Sequence, residues 1–179
     1  RALCEFIDRN LIATKACTCR EPSANRGYMA RTLEEYFKSV DASDVHDYGS
    51  GYPVKDFLTD EYKIVDCTIT KTPFKHATEF INKGLKPSTH GVAVLLRIAF
   101  LEGKKRYEEL FSERPPAYVL QFVERVPMVK GRYDPNVSSA TAYAWFIWDP
   151  YFDVSENDTR LYWIPPCKER LINKDKDFA

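Results

Sequence analysis

The sequence has no charge of either sign to spare: 26 Lys and Arg are matched by 26 Asp and Glu, for zero formal charge. Tight nonspecific binding to nucleic acid draws on a net basic surface, so this balance speaks against a strong autonomous DNA binder. Local basic faces remain at Arg97–Arg106, with Lys104 and Lys105, and at Arg125–Arg132; solvated helix and loop faces are the simpler account of them. Long apolar runs are missing. Val92–Leu96 and Ala142–Trp148 are strand-length, and neither could span a bilayer. No basic segment followed by an apolar one opens the chain, which gives no argument for secretion. Only three histidines occur (His46, His76, His90), none at a ligand spacing, and the five cysteines (Cys4, Cys17, Cys19, Cys67, Cys167) include no CxxC. A metal site is therefore not expected. Cys17 and Cys19 are too close in sequence to pair easily. An odd set of thiols fits a reducing, cytoplasmic setting.

What is present is an alternation of strand-like and helix-like segments, without repeats, low-complexity blocks or a Pro/Gly/Ser-rich linker. At 179 residues one domain over residues 1–179 is expected, with an N-terminal helix over 1–13 and a tail of unassigned role over 150–179. Lys15–Cys19 reads as a first strand. Met29, Leu33, Tyr36 and Phe37 then recur at helical spacing after Gly27. Ser39–Ser43 reads as a second strand, Val54–Leu58 as a short third and Tyr62–Thr70 as a fourth. After Pro73, the positions Phe74, Ala77, Phe80, Ile81 and Leu85 share a helix face. Gly91–Ile98 is a continuous apolar run, as in a strand covered on both sides. Leu101, Tyr107, Leu110 and Phe111 suggest a helix stopped by Pro115 and Pro116. Tyr118–Glu124 and Thr141–Asp149 close the series as two strands, with Lys130–Ser139 as a loop between them. Trp145 and Trp148 read as core rather than as a stacking platform. The order predicts an α/β three-layer sandwich, a mostly parallel Rossmann-like sheet with an antiparallel terminal strand pair.

Ligands in such sheets bind beyond the carboxyl ends of the strands, so the residues just after each strand carry the functional information. After the first strand comes Glu21-Pro22-Ser23-Ala24-Asn25-Arg26-Gly27. A tight strand-to-helix turn needs residues that tolerate φ > 0, which Gly27 does freely and Asn25 better than most. The N–H groups of such a turn can hold a carboxylate, although many α/β proteins have the turn with no ligand. Asp44, after the second strand, is placed to accept both hydroxyls of a ribose or simply to cap a turn. Asp56 follows at a distance that fits a contact to an adenine amino group.

Taken in order, these features resemble the small phage- and prophage-type S-adenosylmethionine-dependent methyltransferases related to DNA adenine-N6 methyltransferases. Their first motif, of the form E-P-A-C-G-x-G-x-M, stands here as Glu21-Pro-Ser-Ala-Asn-Arg-Gly-Tyr-Met29, and their S-D segment as Ser43-Asp44. Val94–Gly103, Glu124–Met128 and Ala142–Asp149 are also similar, so the likeness runs from about Thr14 to Asp149. It implies S-adenosylmethionine as cofactor, with Glu21, Ser23, Asn25 and Gly27 at its methionine end, Asp44 on the ribose and Asp56 on the adenine. DNA is the implied substrate. No separate target-recognition segment is apparent, so specificity is either low or supplied by loops or by a protein partner.

The catalytic motif of that family, N-P-P-F or N-P-P-Y, falls on Lys71-Thr72-Pro73-Phe74. In the family, the Asn oxygen and a carbonyl accept hydrogen bonds from the target amino group and the aromatic residue stacks on the extruded base. Phe74 can stack and the Thr72 carbonyl can accept, but the Lys71 ammonium has three donors and no acceptor. Three readings follow: an active methyltransferase with altered chemistry at Lys71, a degenerate relative that binds cofactor or nucleic acid without efficient turnover, or an interaction module that kept only the fold. Arg97, just past an apolar strand, faces a phosphate or pairs with Glu102.

Overall fold

A computed structural model describes residues 1–126, 141–153 and 158–177. The expected loop over Lys130–Ser139 lies outside the described residues, as do Pro127 and Met128. Seven strands form one mixed sheet: β1 (Thr18–Glu21), β2 (Ser39–Ala42), β3 (Val65–Thr70), β4 (Ser88–Arg97), β5 (Tyr118–Phe122), β6 (Tyr143–Trp148) and β7 (Arg160–Ile164), in the order β2-β1-β3-β4-β6-β5-β7. β1 to β4 pair in parallel, while β6 runs against both of its neighbours, β4 and β5. The fold is therefore the expected α/β Rossmann-like sandwich.

Alternation of side chains along the central strands builds a core on each face. Ala93 and Leu95 of β4, with Trp145 and Ile147 of β6, pack with Leu3 and Ile7 of α1 (Ala2–Asn10) and Leu33 of α2 (Tyr28–Glu34). On the opposite face Val92, Val94, Leu96 and Phe146 pack with Ala77 and Ile81 of α3 (Ala77–Gly84). Trp148 is buried there and its indole N–H donates to the Arg114 carbonyl at 3.0 Å, so it is core and not a stacking platform. Trp145 is likewise buried.

Several boundaries shift. Residues Thr14–Ala16 form a 3-10 turn, which moves the start of β1 to Thr18. The helix expected from Leu101 to Phe111 is broken into a 3-10 turn (Ile98–Leu101), one turn of α4 (Lys104–Arg106) and a π turn (Tyr107–Phe111). The strand expected over Val54–Leu58 is absent. Val54 makes only an isolated bridge to Asp44, and Asp56 caps a turn by accepting from the Leu58 N–H at 2.9 Å. Pro53 removes a ladder donor just upstream. Below this segment the wholly buried Arg20 of β1 donates to Asp41 at 3.1 Å and to the Lys63 carbonyl at 2.6 Å, and lies 4.6 Å over the Tyr62 ring. That cation ties Tyr62 and Lys63 to β1 and β2.

β7 extends the sheet past the antiparallel pair, in parallel with β5. It is followed by the short helices α5 (Lys168–Leu171) and α6 (Lys174–Asp177). All five cysteines are free thiols, and four of them are buried. No helix among the described residues is long and apolar enough to cross a membrane.

β3 meets β4 through a register shift, and Gly91 next to it has φ +107°. A Cβ on Gly91 would run into the Trp148 backbone carbonyl. Gly91→Ala therefore combines a forbidden φ with a backbone clash, and we expect it to cost on the order of 2–4 kcal/mol in urea unfolding. A cost below about 0.5 kcal/mol, the range of neutral surface changes, would contradict this pairing of β4 with β6.

Candidate functional site

The connection from β1 to β2 leaves the sheet on one side of β1, and β3 returns on the other. The strand order reverses there, which opens a crevice beyond the carboxyl ends of β1, β2 and β3. A cleft of about 1730 Å³ occupies this position. It exceeds the volume one small ligand fills because it continues along α2 to the ion-paired Arg1, Glu35 and Asp177.

Glu21 ends β1 beneath this cleft and is 1% exposed. Its Oε1 accepts from the Ser23 N–H at 2.9 Å and from the Thr70 hydroxyl at 2.5 Å. Its Oε2 is buried with no hydrogen-bond partner. Burial disfavours the charged form and pushes this carboxylic acid up to about 8, against the pull of the Thr70 and Ser23 hydrogen bonds. A buried acceptor without a donor is costly, so the oxygen marks a place that an incoming cationic donor would satisfy.

The turn above it is held by two left-handed residues, Asn25 with φ +51° and Gly27 with φ +82°. The Asn25 N–H donates to Asp44 Oδ2 at 2.9 Å, and the His46 N–H donates to Asp44 Oδ1 at 3.0 Å. Asp44 thus ties the turn after β1 to the segment after β2. Both of its oxygens have accepted one bond and retain capacity for another. Gly27 begins α2 but does not border the cleft. A Cβ there would meet the Tyr52 ring, so the missing side chain makes room for Tyr52.

Glu21, Ser23, Asn25, Asp44 and Asp56 all line the one cleft. Phe57, Phe80 and Leu95 supply apolar wall between them. Of the residues after β3, Lys71 and Pro73 face the cleft; Thr72 is wholly buried, its hydroxyl without a partner. Phe74 sits to one side, 37% exposed, with its ring stacked on Tyr143 at 6.2 Å between centroids. Lys71 Nζ lies 4.8 Å from the centroid of that ring and Arg97 Cζ 4.7 Å from it. Burial, then the Arg97 charge, hold the Lys71 amine below the usual lysine range, and Glu21 opposes them.

Three contacts at the candidate site lay outside sequence reasoning: Thr70 on Glu21, and Arg97 and Tyr143 on Phe74. Thr70 and Glu21 lie on different strands, and Phe74, in the 3-10 turn after β3, meets the end of β4 and the start of β6; the sheet register brings each pair together. The basic run at 97–106 is largely neutralised. Lys104 and Lys105 pair with Glu108 and Glu109, and Arg106 donates to the Phe100 carbonyl at 2.6 Å. No ion pair joins Arg97 to Glu102 among the described residues. No group of three or more His, Cys, Asp and Glu is placed to hold a metal among them either.

No family model and no curated protein matches the sequence. Solved structures do match the fold. A type I restriction-modification methyltransferase subunit from Streptococcus thermophilus superposes with a TM-score of 0.62 at 11% identity, over 98% of this chain and 47% of that one. This chain thus spans about half the length of that subunit. An N-methyltransferase from Bradyrhizobium japonicum matches at 0.54 and 11% identity, over 82% of this chain and 93% of its own. A ribosomal protein L11 methylase from Lactobacillus delbrueckii subsp. bulgaricus matches at 0.55 and 14% identity, over 82% and 76%. At these identities the likeness is one of fold: a Rossmann-like sheet shared with methyltransferases.

Glu21 also sets a pH dependence. Its folded-state value of about 8 lies above the ordinary 4.5, so the unfolded chain binds fewer protons over that interval and stability falls as pH rises through it. Thermal unfolding of the ligand-free protein should show the midpoint dropping between about pH 4.5 and about pH 8, with the drop much reduced in Glu21→Gln. A midpoint that rises over this interval in the wild type alone would mean that Glu21 is ionised and satisfied.

Proposed function

We propose that this chain binds S-adenosylmethionine in the cleft beyond β1, β2 and β3 and transfers its methyl group to an amino group of a DNA base, adenine N6 foremost. The observation that carries the reading is the buried, unpartnered Oε2 of Glu21. An ammonium donor suits that oxygen, because ionising Glu21 opposite a cation removes both the missing hydrogen bond and the cost of an isolated charge. Glu21 would hold the cofactor's amino group. The free lone pairs of Asp44 would take the ribose hydroxyls, with Asp56 on the adenine amino group and Phe57, Phe80 and Leu95 as apolar wall. When bound, the cofactor supplies an electrophilic methyl group on a sulfonium. The chain's own part is to position the acceptor, with Phe74 offering a stacking surface beside the cleft; the wholly buried Thr72 cannot present its carbonyl to the target amino group.

The likeness to a restriction-modification methyltransferase subunit supports DNA as the acceptor and a protein partner as the source of specificity. The phage association rests on the motif likeness. A second reading, cofactor binding with weak turnover, is favoured by one observation: Lys71 carries its ammonium over the very ring a base would stack on. A lost acceptor that costs about 3 kcal/mol in the transition state slows transfer roughly 100-fold.

Calorimetry with S-adenosylmethionine tests the first step. Saturable binding is expected, weakened about 10- to 100-fold in Glu21→Gln, as for a lost hydrogen bond to a charged group. Absence of any heat or thermal shift would leave only an interaction module. Transfer of labelled methyl to DNA tests the second step. Lys71→Asn should raise the rate by up to about 100-fold if Lys71 is the block; a variant that binds cofactor yet gains nothing would show that the defect lies elsewhere.

A further inference from the structure

The carboxyl ends of β3 and β4 and the start of the antiparallel β6 converge on one aromatic ring. Lys71 follows β3, Arg97 ends β4, and Tyr143 opens β6 opposite Arg97 in the register. All three touch Phe74: Tyr143 by stacking, Lys71 and Arg97 by placing their charges 4.8 Å and 4.7 Å from its centroid. No described carboxylate forms an ion pair with either cation, in contrast to Lys104 and Lys105 nearby, which are paired with Glu108 and Glu109. Two like charges are thus gathered beside the cleft, with the more distant Glu21 as the described carboxylate that acts on Lys71.

We propose that Lys71 and Arg97, gathered on the Phe74 ring, form a clamp for a phosphate group of the nucleic-acid acceptor. The inference rests on reading this end of the cleft as the acceptor side of a methyl-transfer site. The two residues divide the work by their chemistry. Arg97 offers a planar fork of donors that matches a phosphate's paired oxygens, and Lys71 a compact point charge beside the place where the base amino group would lie. Arg97 is exposed and reaches outward, whereas Lys71 is half-buried and borders the cleft. A phosphate between them relieves their mutual repulsion, which also helps to hold the Lys71 amine low. On this view the residue that replaces an amide acceptor in the motif has taken up a positioning role: it fixes the backbone next to the target nucleotide.

The test reads Lys71 itself. The wild-type protein is acylated with a succinimidyl ester, and the labelling rate of each lysine is followed by peptide mass spectrometry at constant ionic strength. The additions are chloride alone, inorganic phosphate, and a short oligothymidylate, which carries phosphates but no amino group to methylate. Oligothymidylate should slow labelling of Lys71 about tenfold at ten times its dissociation constant, while Lys104 labels at an unchanged rate. Arg97→Gln should abolish most of that protection. The clamp is overturned if Lys71 labels equally fast with and without oligothymidylate, if inorganic phosphate alone protects it, or if a folded Arg97→Gln variant is protected as well as the wild type. The wild-type comparison stands even where the variant fails to fold. S-adenosylmethionine titrated into the same sample separates the two claims: cofactor binding without Lys71 protection removes the clamp alone, and protection without cofactor binding removes the cofactor reading.

Discussion

Burying a carboxyl group with one oxygen unpaired is an expense that folding alone does not recover. Glu21, which lines the cleft, is in that position: Oε1 is satisfied by Ser23 and Thr70, and Oε2 is buried without a donor. Desolvation without a counter-charge shifts the group toward its neutral form. Such groups persist where a ligand completes them, and the surrounding architecture makes sense as a means of holding this one in place.

The sheet does most of that holding. β1 lies between β2 and β3, so the residue ending it is covered from both sides, and Thr70 at the end of β3 reaches across to it. Asp44 then fastens the turn after β1 to the segment after β2 with two backbone N–H bonds. Capping a turn and offering lone pairs to a ribose are compatible for one carboxylate, because each bond uses a single lone pair of an oxygen. The structure shows the cap, and the cap leaves lone pairs over.

Features set by local chemistry were legible before the structure. The apolar run at 91–98, the alternation at 141–149 and the Asn25/Gly27 turn each depend on residues close in sequence, and each was placed within a few positions. Val54–Leu58 misled because its branched and aromatic residues imitate a strand, while Pro53 and the Asp56 cap turn the chain away. β7 had no sign to offer: four of its five residues are exposed, so burial imposes no alternation on Arg160–Ile164. The Lys71–Arg97–Phe74–Tyr143 cluster was equally hidden, since its members lie far apart in sequence and meet only through the β3–β4–β6 register. Lys71 itself stood out at once, because its side chain lacks the acceptor found at that position of the motif it resembles.

The account turns on whether the vacant oxygen of Glu21 is the seat of a cationic group. A carboxylic acid with a value near 8 is mostly protonated at neutral pH and must release its proton to pair with an ammonium. Calorimetric titration of S-adenosylmethionine at pH 7, repeated in buffers of different ionisation enthalpy, measures that proton directly. The account predicts release of about one proton per cofactor bound by the wild type and close to none in Glu21→Gln. Binding without proton release, or release undiminished in the variant, would contradict it.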